Sequence, residues 1–286
     1  MFKIIAVPAW FGGAHKDGVE EGPKKILDSF GLSSAELIEV PEGNPENAKG
    51  KVKYLPECVE VSKKTKDVVK ATARAGFVPA VITGDDSYTF GILAGLSEIH
   101  KDFVAFWFDS HGDINTPETS PSGTVHGMPL AIALGFGDKR LVNLQRKKYS
   151  ITKDKLVMVG ARDLDPPETL FIRKQKILKF SSDEITAGGI ERFFETIAKD
   201  ARIAKTKKAY IHFDVDVLDP KESPSAAMPV PEGLSIEESK KLLKGILNRY
   251  ELIGFSLSEY NPKSDDGRTL NAIKEILTSF GIEPKK

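Results

Sequence analysis

The sequence predicts a three-layer α/β fold with a parallel sheet at its centre. Short apolar runs rich in Val, Ile, Leu and Phe recur along the chain, and longer amphipathic segments separate them. Most of the runs are continuous rather than alternating, the pattern of strands covered on both faces. Strands that alternate with helices in this way connect by right-handed crossovers, which place helix layers on both sides of the sheet.

The elements follow in order. A first strand is expected over 2–7 and a helix over 23–30, then a short strand over 37–40. Residues 41–55 are rich in Pro, Gly, Asn and Lys and read as a surface excursion. A helix over 57–75 ends close to Gly76, a residue suited to the left-handed turn after a helix. A strand over 78–83 and a helix over 87–99 come next, then a strand over 103–109 and a helix over 127–135. Strands over 155–160 and 177–180 flank a helix over 167–175. A helix over 183–202 leads to a strand over 208–214. Ser235-Ile236-Glu237-Glu238 reads as a capping box that opens a helix over 236–250. A strand over 252–258 and a helix over 267–280 close the series. Without an internal repeat, low-complexity tract or linker, one domain over 1–286 is expected.

The 286 residues are 40% hydrophobic, enough for a large core. Lys plus Arg and Asp plus Glu each number 41, so no global basic field draws nucleic acid or an anionic membrane. The short run Arg146-Lys147-Lys148 reads as a solvated face. Cys58 is the only cysteine, which rules out an intrachain disulfide and suits a reducing compartment. The apolar start, Met1 to Val7, lacks the length and cleavage site of a signal peptide. No apolar run approaches the roughly 20 residues that span a bilayer. The expectation is a cytoplasmic protein with neither nucleic-acid nor membrane partners.

Two of the strands end in acids. One runs from Phe103 through Phe108 into Asp109-Ser110-His111-Gly112-Asp113. The other reads Ala209-Tyr210-Ile211-His212-Phe213-Asp214-Val215-Asp216. Residues i, i+2 and i+4 share one face of a strand, so Asp109, His111 and Asp113 can face one space, as can Asp214 and Asp216. Four carboxylates there repel one another unless cations lie between them. Thr83-Gly84-Asp85-Asp86-Ser87 also follows a strand and adds acids to the same rim. Carboxylates with a minority of imidazole suit Mn²⁺ or Mg²⁺ better than Zn²⁺. Two such ions about 3.5–4 Å apart can share a water, lower its pKa and supply hydroxide for attack on a trigonal carbon.

Other residues add to this rim. His126, in Ser122-Gly123-Thr124-Val125-His126-Gly127, is a candidate proton shuttle. Glu259 ends the last strand and could bind a cationic group of a substrate. His212 shares parity with Asp214 and Asp216 but lies deeper, and reads as a hydrogen-bonded core histidine. His15 and His100 have no comparable setting.

These residues resemble the ureohydrolase family, the arginases and agmatinases, over most of the chain. Asp109 to Pro117 is similar to the family's first metal signature, and Phe213 to Pro220 to its second. Gly18-Val19-Glu20-Glu21-Gly22-Pro23 resembles the arginase N-terminal loop. The resemblance implies an eight-stranded parallel sheet and a pair of Mn²⁺ ions per subunit. It implies hydrolysis of a guanidinium to urea and an amine by attack of a metal-bridging hydroxide, and a homo-oligomer, trimer or hexamer. The metal ligands it implies are Asp86, Asp109, His111, Asp113, Asp214 and Asp216. His126 matches the family's proton-shuttling histidine, and Glu259 the glutamate that orients the guanidinium.

Within the family the chain looks more like the arginases. Asn115, Ser120 and Ser122 fall where arginases hold the α-carboxylate of L-arginine. Arg162 to Glu168 resembles the segment that meets the α-amino group, with Asp165 and Glu168 as substrate-binding residues. Agmatine, guanidinobutyrate and formiminoglutamate are the alternative substrates. A non-catalytic arginase-like protein that binds a ligand or a partner chain is a further alternative. Three departures stand out. Asp86 replaces the family's first metal-ligand histidine, which sets five negative charges against the four positive charges of two Mn²⁺. Thr124 stands where arginases commonly have Asn. Met228, within residues 223–229, places an apolar side chain where a hydroxyl is expected.

Overall fold

The structure, a computed structural model, describes residues 1–13 and 18–284. His15 lies outside the described residues. Eight strands form one sheet: β1 (Phe2–Val7), β2 (Glu36–Leu37), β3 (Val78–Thr83), β4 (Val104–Phe108), β5 (Leu156–Gly160), β6 (Leu178–Ser181), β7 (Lys208–Asp214) and β8 (Glu251–Ser258). Their order across the sheet is β2-β1-β3-β8-β7-β4-β5-β6. Every neighbouring pair is parallel. The expected α/β architecture is therefore present, with all eight strands close to their anticipated positions. β2 is shorter than its apolar run, because only Glu36 and Leu37 pair with β1.

Helices cover both faces. On one side lie α2 (Leu55–Arg74), α3 (Thr89–Ile99), α4 (Pro129–Ala133), α5 (Lys139–Val142) and α6 (Pro166–Gln175), packed with Val81, Trp107 and Tyr210 of the sheet. On the other lie α1 (Gly22–Phe30), α7 (Ser182–Lys199), α8 (Ile236–Leu247) and α9 (Arg268–Ser279), packed against Phe106, Phe213 and Phe255. This is the period-2 alternation of the strands: odd and even positions feed two separate cores. The capping box expected at Ser235 is formed, with Glu238 reaching back to the Ser235 N–H at 2.9 Å. α5 falls outside the expected elements. Four residues are too few for a hydrophobic period, and the helix is started by the Asp138 carboxylate accepting from the Arg140 N–H at 2.8 Å.

The sheet order sets the location of the site. β3 and β4 are consecutive in the chain, yet β8 and β7 lie between them. This is a topological switch point, where loops leave neighbouring strands in opposite directions and open a crevice at the carboxyl ends. Gly84, just beyond β3, lets the N-terminal loop close over this region. A Cβ there would lie 2.2 Å from the Ala9 carbonyl oxygen, a backbone atom with little freedom to retreat. Gly84→Ala is therefore expected to lower unfolding stability by about 1–3 kcal/mol, measurable by urea titration.

Candidate metal centre

Four adjacent strands supply the site. Asp85 and Asp86 follow β3, Glu259 follows β8, Asp214 ends β7 with Asp216 beyond it, and Asp109 follows β4. Three of the strand ends turn in the same way. An Asp carboxylate accepts from the N–H two residues later: Asp85 from Ser87 at 2.9 Å, Asp109 from His111 at 2.7 Å, and Asp214 from Asp216 at 2.7 Å. These turns follow from Asp side chains competing for nearby backbone donors. They fix one oxygen of each carboxylate and so orient the group at the strand end.

The acids converge, but through turns and not through strand parity, since β4 ends at Phe108 and Asp216 lies in a 3-10 turn after β7. Ligand atoms of Asp109, His111 and Asp216 lie within 4.8 Å of one another. So do those of Asp86, Asp109, His212 and Asp214, and those of Asp86, His126 and Glu259. Asp109 belongs to the first two groups and is placed to be shared. Asp113 lies in none of the three. Its Oδ2 accepts from the Trp107 indole N–H at 3.0 Å, and its carboxyl pairs with that of Asp86. The same indole N–H reaches Asp109 Oδ2 at 3.2 Å.

The electrostatics reflect crowding. Burial first, and then neighbouring carboxylates, push Asp86, Asp113, Asp214 and Glu259 well above the usual carboxylate range. Asp109 goes the other way. Burial opposes its ionisation, but hydrogen bonding to His111 and the charge on that ring hold it well below the usual range. Burial disfavours the charged form of His111 too. Asp216, 2.9 Å from its Nδ1, and Asp109 outweigh this and push the imidazole up to about 12. The cluster is thus settled by retained protons and one imidazolium.

A divalent ion fits this surrounding. Asp86 Oδ1 and His212 Nε2 are buried and have no hydrogen-bond partner, and both residues belong to the cluster with Asp109 and Asp214. Buried polar atoms are normally paired, and orphans gathered among carboxylates mark a place for a cation. The donor set of carboxylate oxygens with imidazole nitrogens suits Mn²⁺ or Mg²⁺.

A cavity of about 250 Å³ lies above the acids. Asn115, Ser120, Ser122, Thr124, His126, Asp163, Asp165, Glu168 and Met228 line it together with the carboxylates. The rim is held by its own bonds. Asn115 Nδ2 donates to Asp165 Oδ2 at 2.8 Å, and the Thr119 hydroxyl donates to Asn115 Oδ1 at 2.8 Å. The Ser120 and Ser122 hydroxyls lie 3.3 Å apart. Glu168 closes a capping box at the start of α6, accepting from the Asp165 N–H at 2.9 Å and from the Ile114 N–H at 3.0 Å. Gly112 makes room for it, since a Cβ at 112 would sit 2.6 Å from the Glu168 carboxyl carbon. Asp113 and Glu259 take positive φ, 54° and 66°, a strained conformation for non-glycine residues that is common at functional sites.

Two residues do more than their sequence context indicates. The reading of His212 as a hydrogen-bonded core histidine holds for Nδ1, which meets Ser256 Oγ at 2.8 Å. It is incomplete for Nε2, which is buried without a partner in a ring that lies among the acids. Arg162 carries more than its motif suggests. Its guanidinium donates to the carbonyls of Gly160, Asp216, Val217, Val230 and Pro231, tying β5, the second metal loop and the segment after Met228 together. Its fixed fork of donors suits the task, and nothing in the local sequence reveals carbonyl partners from three separate segments.

Fold and site together define a parallel α/β protein whose switch point carries a carboxylate–imidazole centre able to hold divalent metal. The chain belongs to the Arginase family, whose model matches residues 1–282. The arginase of Bacillus caldovelox is 32% identical over 276 residues, covering 92% of this chain and 91% of that protein. A crystal structure of Entamoeba histolytica arginase in complex with L-ornithine matches with a TM-score of 0.89 at 29% identity, covering 98% of both chains. Formimidoylglutamase from Bacillus subtilis shares the fold, with a TM-score of 0.78 at 18% identity, over 99% of this chain and 88% of that one. This protein is accordingly a hydrolase of the Arginase family, and no helix among the described residues is long and apolar enough to cross a membrane.

The charge balance predicts a pH response. Groups whose folded-state pKa is raised contribute stability that is full below their unfolded values, about 4 for the acids, and is lost as pH rises towards the folded values. His111, also raised, acts in the same direction above about 6.5. His212, which burial lowers to about 4, acts the opposite way below about 6.5, so the comparison is made above that range: the ion-free protein is expected to melt at lower temperature at pH 8.5 than at pH 7. Added Mn²⁺ replaces the retained protons and is expected to reverse that order, with proton release visible by calorimetry in buffers of different ionisation enthalpy. A melting temperature that rises from pH 7 to pH 8.5 in chelator would contradict this account.

Proposed function

We propose that this protein is an arginase that hydrolyses L-arginine to L-ornithine and urea with two Mn²⁺ ions. The observation that carries the reading is the meeting of Asp86, His126 and Glu259 within 4.8 Å, on the wall of a cavity whose far rim holds paired Asn115 and Asp165. Asp86, Asp109, His111, Asp113, Asp214 and Asp216 would hold the ions, which supply Lewis acidity for activating the nucleophile and stabilising charge at the reacting carbon.

The chain's own residues divide the remaining work. Glu259 Oε1 accepts from the Asp86 N–H at 2.9 Å, which leaves Oε2 for the guanidinium. His126 transfers a proton to the leaving amine. Asn115, Ser120 and Ser122 take the α-carboxylate of the substrate and Asp165 its α-amino group. Both Glu168 oxygens serve backbone donors, so Glu168 assists by fixing Asp165. Agmatine lacks the carboxylate that those rim groups would bind and so forgoes those hydrogen bonds, which favours arginine over agmatine. A cytoplasmic trimer or hexamer belongs to the same reading, as does a centre weakened by the extra charge of Asp86.

Met228, 50% exposed at the cavity mouth, gives one reason to test other substrates. Urea release is expected with arginine and not with agmatine or guanidinobutyrate, and no glutamate is expected from formiminoglutamate. Preference for agmatine would refute the roles of Asn115 and Asp165. Asp165→Ala is expected to raise KM for arginine by roughly tenfold or more, with a smaller change in kcat. Asp86→His removes one negative charge and is expected to move the rising limb of the kcat–pH profile to lower pH. At a fixed pH on that limb, kcat then increases about tenfold for each pH unit the limb moves. An unchanged profile, with two tight ions in both proteins, would sink the charge argument.

A further inference from the structure

His212 is fully buried in the middle of β7, between two cross-strand neighbours, Trp107 on β4 and Ser256 on β8. The Trp107 ring lies against the imidazole with centroids 4.0 Å apart. The two ring nitrogens have different surroundings. Nδ1 meets Ser256 Oγ at 2.8 Å, and Ser256 Oγ meets the Tyr210 hydroxyl at 2.6 Å. Nε2 has no hydrogen-bond partner, yet the ring offers a ligand nitrogen within 4.8 Å of carboxylate oxygens from Asp86, Asp109 and Asp214. Asp86 Oδ1 is orphaned in the same cluster.

A structural histidine does not need this arrangement. A protonated Nε2 beside three acids would hydrogen-bond an ionised one, and a bare lone pair would accept from a protonated one, yet Nε2 has no partner at all. A cation between nitrogen and oxygens resolves this. The Ser256 contact supplies the support that metal-bound imidazoles usually have, a partner on the other nitrogen that fixes ring and tautomer.

We propose that His212 Nε2 is a metal ligand, acting with Asp86, Asp109 and Asp214 on one of the two ions. The inference rests on the metal-centre reading above and adds a ligand to it. Asp109, His111 and Asp216 hold the other ion, so each ion receives one imidazole and Asp109 is shared. The imidazole absent at position 86 reaches the centre from β7 instead. Ligation through Nε2 sets the direction of the other bond: Nδ1–H donates to Ser256 Oγ.

The test compares Mn²⁺ binding by calorimetry and metal content after dialysis for the wild type, His212→Asn and Ser256→Ala. The Asn amide can take the Nδ1 place and keep the bond to Ser256 while deleting Nε2. Ser256→Ala keeps Nε2 and removes its support. Two ions are expected in the wild type. His212→Asn is expected to weaken one of them by ~100-fold or more, and Ser256→Ala by about 10-fold to 100-fold. Two ions of unchanged affinity in His212→Asn would overturn the proposal and leave the metal centre standing. A wild type that binds no Mn²⁺ would overturn the metal centre itself. Should the variants fail to fold, anomalous diffraction from Mn²⁺-loaded wild-type crystals decides. A manganese peak within bonding distance of His212 Nε2 supports the proposal, and two peaks that both lie beyond it refute it.

Discussion

The structure is organised around a repulsion. Asp86, Asp109, Asp113, Asp214, Asp216 and Glu259 are each 5% exposed or less and share one small region. Two unit charges 4 Å apart interact by about 4 kcal/mol at an effective dielectric of 20. A handful of such pairs rivals the whole stability of a domain, about 5–15 kcal/mol. The folded chain can hold these groups together only by keeping protons on several of them or by placing cations among them. Among the described residues the His111 imidazole, held by Asp216 and Asp109, is a counter-charge within the cluster, and the Arg162 guanidinium acts on the same two acids from outside it. Every other device in the site serves to keep the acids where a metal can use them.

The parallel sheet is the first of these devices. Strands β3, β8, β7 and β4 fix the spacing of their ends by backbone pairing, which side-chain repulsion cannot easily widen. The Asp-to-backbone turns then orient each carboxylate, and each bond to an N–H partly offsets the cost of burying charge. Arg162 locks the outer loops by donating only to carbonyls, so its charge does not form a tight ion pair that would draw an acid away from the centre. Asp113 and Glu259 hold positive φ at a cost of order 1–3 kcal/mol each, which the surrounding sheet and turns sustain.

Much of this was legible in the chain because it depends on local pattern. Continuous apolar runs marked the strands, and the acids at their ends marked one rim, although turns and not the expected strand parity of Asp109, His111 and Asp113 and of Asp214 and Asp216 bring the groups together. What escaped reading depends on register between distant segments. The depth of His212 beneath the acids was clear from its position, but its pairing with Ser256 and the reach of its ring were not. Glu168 was expected on the substrate rim because it ends a motif there. It does line the cavity, but its oxygens go to Ile114 and Asp165. The carbonyls around Arg162 come from segments up to 69 residues away, beyond any local signal.

The centre divides into a floor set by strands and a rim set by loops. On the arginase reading the floor would select the ions, and the rim, with Asn115, Asp165 and Met228, would select the substrate that reaches them. Position 86 belongs to both. Its side chain faces the floor beside Asp109, while its N–H donates to Glu259, the group we propose for the guanidinium. Burial and the charge of Glu259 are the first two causes that raise the Asp86 carboxyl. Glu259 in turn is raised by burial and then by the charge of Asp85, with Asp216 and Asp109 behind it, while the Asp86 N–H helps to hold its charge. On the arginase reading Glu259 would have to be ionised to hold a guanidinium. Cations among these acids would lower the cost of that charge by offsetting Asp109 and Asp216. Metal occupancy and substrate binding would then be coupled through the shared field of the acids, with position 86 as the backbone link between them.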